Sequence, residues 1–256
     1  MSDKAIFITG AAAGIGAETA RLFARNGWRV GASDVNATAL ESLRQELGAD
    51  RVVCLAADVR DRAAVDRAIA DFVEASGGRL DAVFANAGVL FMGPHEAIGA
   101  AQKDLLVDVN VRGVVNTFDA AYPWLMCNTG SHAVAMASTS AEYGTPQHAV
   151  YSATKFFVRG LTEALNIEWA PQGINVSAVY VAYVDTPMVR DAEVKPASIE
   201  AMGVKVTPQQ VAEAVWQAVH GQRSHWRVGA DARAVNLLVR LLGSASAPVL
   251  RRLLKV

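Results

Sequence analysis

Short apolar runs of strand length alternate along this chain with longer segments whose apolar residues recur at helical spacing. Ala5-Ile6-Phe7-Ile8 is the first run, and Ile15, Thr19, Leu22 and Phe23 then repeat on one helical face until Gly27 stops them. Arg29-Val30-Gly31-Ala32 is the second strand, and residues 37–47 form the next helix with Gly48 beyond its end. A third strand over residues 51–56 leads to Asp58, a helix over 62–75 stops at Gly77-Gly78, and a fourth strand over 81–85 runs into Asn86-Ala87-Gly88. Residues 103–122 predict a long helix that Pro123 should kink or end, with Trp124 and Leu125 still packed. A fifth strand over 133–137 ends at Ser138, and a second long helix over 149–170 is closed by Pro171 and Gly173. Residues 174–181 give a sixth strand. Residues 208–220 give a helix with Thr207 as N-cap and Pro208 at its first position, and Trp226-Arg227-Val228 a seventh strand. Alternation of this kind demands a parallel sheet with helices on both faces. The expectation is an α/β fold: a single-domain, doubly wound parallel sheet of about seven strands spanning residues 1–256.

Composition narrows this little. The chain has 256 residues, 52% of them hydrophobic, which is enough to bury a large core as one domain. A net charge of -1 exerts no general pull on nucleic acid or an anionic membrane, and no nucleic-acid partner is expected. Cys54 and Cys127 sit in no C-x-x-C pair or Cys/His cluster, so neither a disulfide framework nor a metal site is expected. The first strand begins almost at once, so no signal peptide is expected, and no run of eighteen apolar residues occurs. A reducing, cytoplasmic setting follows as an expectation.

The chemistry begins between the first strand and the first helix, at Thr9-Gly10-Ala11-Ala12-Ala13-Gly14-Ile15-Gly16. Glycines let the backbone turn and approach a ligand closely, and the helix N-terminus offers unpaired N–H groups to a pyrophosphate. Asp34 follows the second strand, where a Rossmann-type dinucleotide fold puts the carboxylate that bonds the ribose hydroxyls of NAD. In such a sheet ligands bind beyond the carboxyl ends of the strands, and Asp34, Asp58, Asn86 and Ser138 all fall there. Tyr151 and Lys155 share one helix face. An ammonium beside a phenol favours the phenolate, and lowering its pKa by ~2 units takes ~3 kcal/mol. An amphipathic helix with a surface tyrosine and lysine would show the same spacing. Asn110 sits mid-helix in Val109-Asn110-Val111-Arg112-Gly113. It reads either as a solvent-facing residue or as a local break aiming a polar group into the cleft.

As a set, Thr9-Gly10-x-x-x-Gly14-x-Gly16, Asp58, Asn86-Ala87-Gly88, Asn110, Ser138, Tyr151-x-x-x-Lys155 and Val184-Asp185-Thr186-Pro187 resemble the short-chain dehydrogenase/reductase family, in order, over residues 5–230. The resemblance implies that Tyr151 is the general acid/base, and that Lys155 bonds the nicotinamide ribose and lowers the Tyr151 pKa. It implies that Ser138 polarises the substrate oxygen and that Asn110 holds a water in a proton relay. Gly10, Gly14, Ile15 and Gly16 would wrap the pyrophosphate, Asp58 and Val59 flank adenine, Asn86, Ala87 and Gly88 line the cofactor groove, and Val184 and Thr186 hold the carboxamide. Two departures stand out. Val181-Ala182 replaces the family's usual Pro-Gly, and Ala137-Ser138 its usual Ser-Ser, so Ser138 is assigned by spacing with Ser140 as the fallback.

The resemblance makes residues 188–206 a substrate lid, and Met188, Val189, Val194, Ile199, Met202 and Val204 give it an apolar character. With no arginine cluster for a phosphorylated substrate, the reading is NAD-dependent interconversion of an apolar secondary alcohol and its ketone, such as a hydroxysteroid or cyclic alcohol. The alternatives are a reductase of ketones or 3-oxoacyl thioesters, a sugar or polyol dehydrogenase, and a non-catalytic NAD-binding regulatory protein. Resemblance also implies a homo-oligomer, a tetramer, paired through the two long helices. In the tail, residues 231–256, Leu237, Leu238, Leu241, Leu242, Val249, Leu250, Leu253 and Leu254 make two apolar stripes split by Gly243 to Pro248. Arg233, Arg240, Arg251, Arg252 and Lys255 against Asp231 give it a net +4. Such a tail could lie on a membrane surface, but apolar stripes at helical spacing usually face protein, so packing over the pocket or a neighbouring subunit is the reading taken.

Overall fold

The computed structural model describes residues 4–192 and 203–246, together with residues 194, 196, 199, 248 and 249. Strand β1 (Ala5–Thr9) is buried along its whole length, because helices cover both faces of its sheet. It pairs in parallel with β2 (Arg29–Asp34) on one side and with β4 (Ala82–Ala85) on the other. β3 (Val52–Ala56) lies outside β2, and β5 (Ser131–Met136), β6 (Ile174–Tyr180) and β7 (His225–Arg227) continue beyond β4, also in parallel. The described strands therefore run 3-2-1-4-5-6-7. The chain winds outward from β1 in one direction, then returns and winds in the other. This leaves a crevice at the carboxyl ends of β1 and β4.

Alternate side chains of each strand feed two cores. Phe7, Val83, Ala133 and Val176 meet α3 (Arg62–Ala75), α5 (Gly113–Leu125) and α6 (Ala149–Glu168) through Ile69, Phe72, Phe118 and Val158. Ile6, Ile8, Phe84 and Val134 face the other way. They meet α1 (Gly14–Arg25), α2 (Ala37–Leu47) and the helix Pro208–Val219 through Phe23, Leu40, Val211 and Val215. Helix starts follow local chemistry. The side chains of Asn36 and Asp61 accept from Ala39 N and Ala64 N, and Thr207 with Gln210 caps Pro208–Val219 as the sequence suggests.

Three expectations change. The long helix over 103–122 is instead α4 (Ala100–Val107), a π-helical turn Asp108–Arg112, and α5, which passes through Pro123 to Leu125. Pro123 lies in the last turn, where few further hydrogen bonds depend on it, and the fully buried Leu125 holds that turn down. Trp124 is not packed but 36% exposed. The helix over 149–170 stops at Glu168, and Ala170–Gln172 forms a 3-10 turn closed by Gly173 in the left-handed region. In the C-terminal segment, α7 (Pro187–Arg190) and α8, the helix Pro208–Val219, precede α9 (Gly229–Leu242), which ends before Gly243 as expected. The second tail helix, with Leu250, Leu253 and Leu254, and Met202 of the expected lid lie outside the described residues.

Close packing between sheet and helix sets a steric limit in β2. A Cβ on Gly31 would stand 2.6 Å from the Phe72 ring and 2.8 Å from the Phe7 ring, and those rings already pack at 5.9 Å between centroids. Gly31→Ala is therefore expected to cost about 1–3 kcal/mol through overpacking. Thermal unfolding measures this, and a melting temperature equal to the wild type would refute it.

Candidate active site

The glycine-rich loop joins β1 to α1 at the crevice. Gly10 takes φ +64°, and a Cβ there would stand 2.8 Å from Ala87 Cα. At Gly16 a Cβ would come within 2.8 Å of Asn86 Nδ2 and still closer to Gly10 O. Only glycine lets α1, the loop and the β4 segment approach this closely. Thr9 Oγ1 accepts from both Asn86 N and Ala87 N at 3.1 Å, while Asn86 Nδ2 donates to Thr9 O at 3.0 Å and Gly10 O at 3.1 Å. The N-terminus of α1 has no side-chain cap and no acidic residue in its first turn, so its N–H groups and positive dipole end stay available. Asp34, at the end of β2, accepts from Ala12 N at 3.1 Å and Asn36 N at 3.0 Å, which fixes its carboxylate against the loop.

Ser138 follows β5 and caps a 3-10 turn, Thr139–Ala141. Its Oγ accepts from Ser140 N at 3.1 Å and donates to Val181 O at 3.4 Å. Tyr151 and Lys155 come from the first turns of α6, on the face toward β5. The Tyr151 phenol is pushed up to about 12 by burial, against which a hydrogen bond with Ser138 works, while Tyr183 adds to the rise. Burial pushes the Lys155 ammonium down to about 8. Lys155 Nζ donates to Met136 O at 2.8 Å and lies 5.5 Å from the Tyr151 ring centre. Burial of the phenol thus acts in the opposite direction to the lowering expected from Lys155.

Other expected residues are placed differently. Asn110 is fully buried in the π-helical turn. Its Oδ1 accepts from Val89 N and its Nδ2 donates to Val89 O, both at 2.9 Å, so its amide fastens the segment after β4. Asp58 forms an ion pair with Arg60 at 2.6 Å, and Val59 packs against Gly113. Gly16, Asp58, Val59 and Asn110 are absent from the described cleft lining. Gly10, Gly14, Ile15, Asp34, Asn86, Ala87, Gly88, Ser138, Tyr151, Lys155, Val184 and Thr186 belong to it.

The cleft holds about 270 Å³ of free space. Residues that spacing alone had not marked also line it: Tyr143, Thr145, His148 and Tyr183. Three of them lie between Ser138 and Tyr151, and the polar richness of that interval was the available signal. His148 is buried, its ring 6.2 Å from that of Tyr151 and 6.1 Å from that of Tyr183. Its Nδ1 meets Pro146 O, its Nε2 has no hydrogen-bond partner, and burial keeps its pKa low. Met188 and Val189 of α7 close one wall. Above Tyr143 pack Val235, Leu238 and Val239 of α9, while Leu237 and Leu241 face outward.

The chain is similar to known proteins along most of its length. A family model described as short chain dehydrogenase matches residues 4–197. D-threitol dehydrogenase of Mycolicibacterium smegmatis is 36% identical over 181 residues, 70% of this chain and 69% of that protein. Oxidoreductase UcpA of Escherichia coli is 36% identical over 191 residues, 73% of this chain and 72% of that protein. The crystal structure of 3-ketoacyl-(acyl-carrier-protein) reductase from Brucella melitensis complexed with NADH superposes with a TM-score of 0.80 at 32% identity, covering 88% of this chain and 96% of that one. A short-chain dehydrogenase/reductase from Burkholderia phymatum in complex with NAD gives a TM-score of 0.85 at 26% identity, covering 94% of each chain. With the matched family model, the seven-stranded parallel sheet and the glycine-rich loop at its crevice in agreement, this chain belongs to the short-chain dehydrogenase/reductase family of oxidoreductases.

Proposed function

We propose that this protein is an NAD-dependent oxidoreductase that interconverts a secondary alcohol and its ketone. The carrying observation is convergence: Ser138, Tyr151 and Lys155 line the same cleft as the glycine-rich loop and Asp34. The residues fit the dinucleotide. Gly10, Gly14, Ile15 and Gly16 with the uncapped end of α1 suit a pyrophosphate, and the prepositioned Asp34 carboxylate suits a ribose diol. Ala57 N donates to Asp34 O, so the segment carrying Asp58 and Val59 runs beside Asp34, where an adenine would lie. Asn86, Ala87 and Gly88 form the floor of the groove. Val184, paired with Val206, and Thr186 line the cleft, where they would meet the nicotinamide carboxamide.

Bound NAD supplies the hydride acceptor. The protein supplies the proton chemistry. The Tyr151 phenolate takes the proton of the substrate hydroxyl, the Ser138 hydroxyl holds that oxygen, and the Lys155 ammonium favours the phenolate and a ribose contact. Asn110 acts one step back, by fixing Val89 beside Gly88. Leu90, Val181, Met188 and Val189 give the cleft apolar walls, and its hydroxyls partly satisfy one another, with Ser140 Oγ and Thr145 Oγ1 at 3.0 Å. This favours an apolar substrate body. A second reading, a polyol substrate, is supported by the unpartnered His148 Nε2 and by the D-threitol dehydrogenase relative. We further propose a homotetramer, supported by Phe156, Phe157 and Ile167 standing exposed on α6, and a cytoplasmic setting.

Tyr151→Phe keeps the ring and helix but removes the proton carrier. Turnover should fall by about 10²–10⁴-fold while NADH binding, read by fluorescence titration, stays nearly unchanged. Retained dehydrogenase activity would place the base elsewhere. In the wild type, oxidation should accelerate with rising pH as the phenol ionises, and ketone reduction should slow, since it needs the protonated phenol. Asp34 repels a 2′-phosphate, and Ala11, Ala12 and Ala13 offer no compensating charge. The wild type should therefore prefer NAD in kcat/KM, and Asp34→Ala should narrow the NAD:NADP ratio by about tenfold or more. Equal use of both by the wild type would defeat the assignment. Light scattering at micromolar concentration should report a tetramer, and a monomer would count against the proposed assembly.

A further inference from the structure

Glu142 follows the 3-10 turn that Ser138 caps, and its side chain is 2% exposed. Two arginines from different elements close on it. Arg227 of β7 donates from Nε and Nη2 to Glu142 Oε1 at 2.9 and 2.7 Å. Arg159 of α6 donates from Nη1 to Glu142 Oε2 at 2.8 Å and to Ala141 O at 3.2 Å. Tyr151, Lys155 and Arg159 recur every fourth residue, so they share one face of α6. The helix face that presents the phenol thus also grips the turn behind the serine. Outside this triad, Arg159 Nε donates to Glu163, which lies 3.3 Å from His225 Nε2. His225 Nδ1 meets the Tyr180 hydroxyl at 2.8 Å, and Arg227 lies over the Tyr180 ring.

A buried carboxylate between two guanidiniums gives little net stability over a well-packed apolar replacement. What it gives is fixed geometry, because bidentate and charge-assisted bonds are short and directional. Here the geometry fixed is the distance between the Ser138 turn and α6. The following residue, Tyr143, carries Val235, Leu238 and Val239 of α9, and Arg227 stands two residues before α9 begins. Adjacent residues of the turn are therefore tied to β7 and to the C-terminal helix.

We propose that Glu142 is a positioning residue: clasped by Arg159 and Arg227, it holds the Ser138 turn against α6 and so sets the approach of the Ser138 hydroxyl to the Tyr151 phenol. This rests on the roles given above to Ser138 and Tyr151. A neutral side chain at 142 leaves two guanidiniums facing each other, the turn relaxes, and Ser138 moves off the phenol. Misplacement by about 1 Å can cost about 10²-fold in rate.

The test uses full-length Glu142→Gln, with cyclohexanol as probe alcohol and NAD as oxidant. Turnover should fall about ten- to a hundredfold with NADH affinity unchanged. The alkaline limb of the rate profile should move up, because the phenol loses the hydrogen bond that lowers its pKa. Phenolate absorbance on alkaline titration, with Tyr151→Phe as the blank, reads the same phenol without turnover. Combined with Ser138→Ala, Glu142→Gln should add almost nothing, since it acts through the serine. Unchanged turnover and phenol titration, or losses that multiply in the double variant, would overturn the proposal. If Glu142→Gln does not fold, Arg227→Lys, which keeps the Arg159 pair, should give a smaller fall and the same direction of shift; no shift there would also overturn it. Failure of the underlying reading shows separately, as turnover retained in Tyr151→Phe.

Discussion

Everything at the carboxyl edge of the sheet depends on how β1 is stitched to β4. Sheet hydrogen bonds end near Ile8 and Phe84, and beyond that point the two chains must diverge into a loop and a helix. Thr9 and Asn86 replace the lost ladder with side-chain bonds, two accepted by one hydroxyl and two donated by one amide. Each satisfies a backbone group that would otherwise be stranded in a partly buried crevice. The glycine-rich loop can then lie flat on Ala87, and the N-terminus of α1 opens to the cleft. Removing the threonine hydroxyl would leave two N–H groups unpaired, a larger loss than one missing bond.

The electrostatics of the cleft follow from dryness rather than from a single charged neighbour. Desolvation pushes the phenol of Tyr151 and the ammonium of Lys155 both toward neutrality. For the phenol, half-ionisation near neutral pH requires an opposing stabilisation of about 7 kcal/mol. An ammonium at about 8 keeps its charge at neutral pH, yet at 5.5 Å from the ring it supplies only part of that sum. A hydrogen bond from Ser138 lowers the phenol's pKa further, and an oxidised nicotinamide, when bound, would add its positive charge. Placement of Ser138 is therefore an electrostatic matter as much as a geometric one.

Much of this was legible in the chain. Alternating runs of apolar residues gave strands and helices close to their observed limits, because a sheet buried on both faces tolerates little else. Spacing placed Asp34, Ser138, Tyr151 and Lys155, since each lies at a strand end or on one helix face. The break at Asp108–Arg112 left only Asn110 as its trace, because a π-helical turn keeps the apolar content of a helix and changes only its hydrogen bonds. The start at Ala100 was missed because its cap is Gly99 with Gln102, a weaker sign than serine or aspartate. Glu142 could not be told from a loop residue, since its partners come from β7 and α6.

The polar residues at the strand ends divide by whether the protein itself satisfies them. Asn86 and Asn110 each make paired bonds to backbone, and Asp58 is held by Arg60 two residues away. Those bonds tie each side chain to the protein itself. Asp34 is different, because two backbone N–H groups fix its orientation and leave further lone pairs facing the cleft. Ser138 Oγ is held on both sides, accepting from Ser140 N and donating to Val181 O, in the cleft that Tyr151 also lines. Residue type at a strand end cannot separate these cases, since asparagine and aspartate serve both. The distinction lies in the partners that the fold brings to each group.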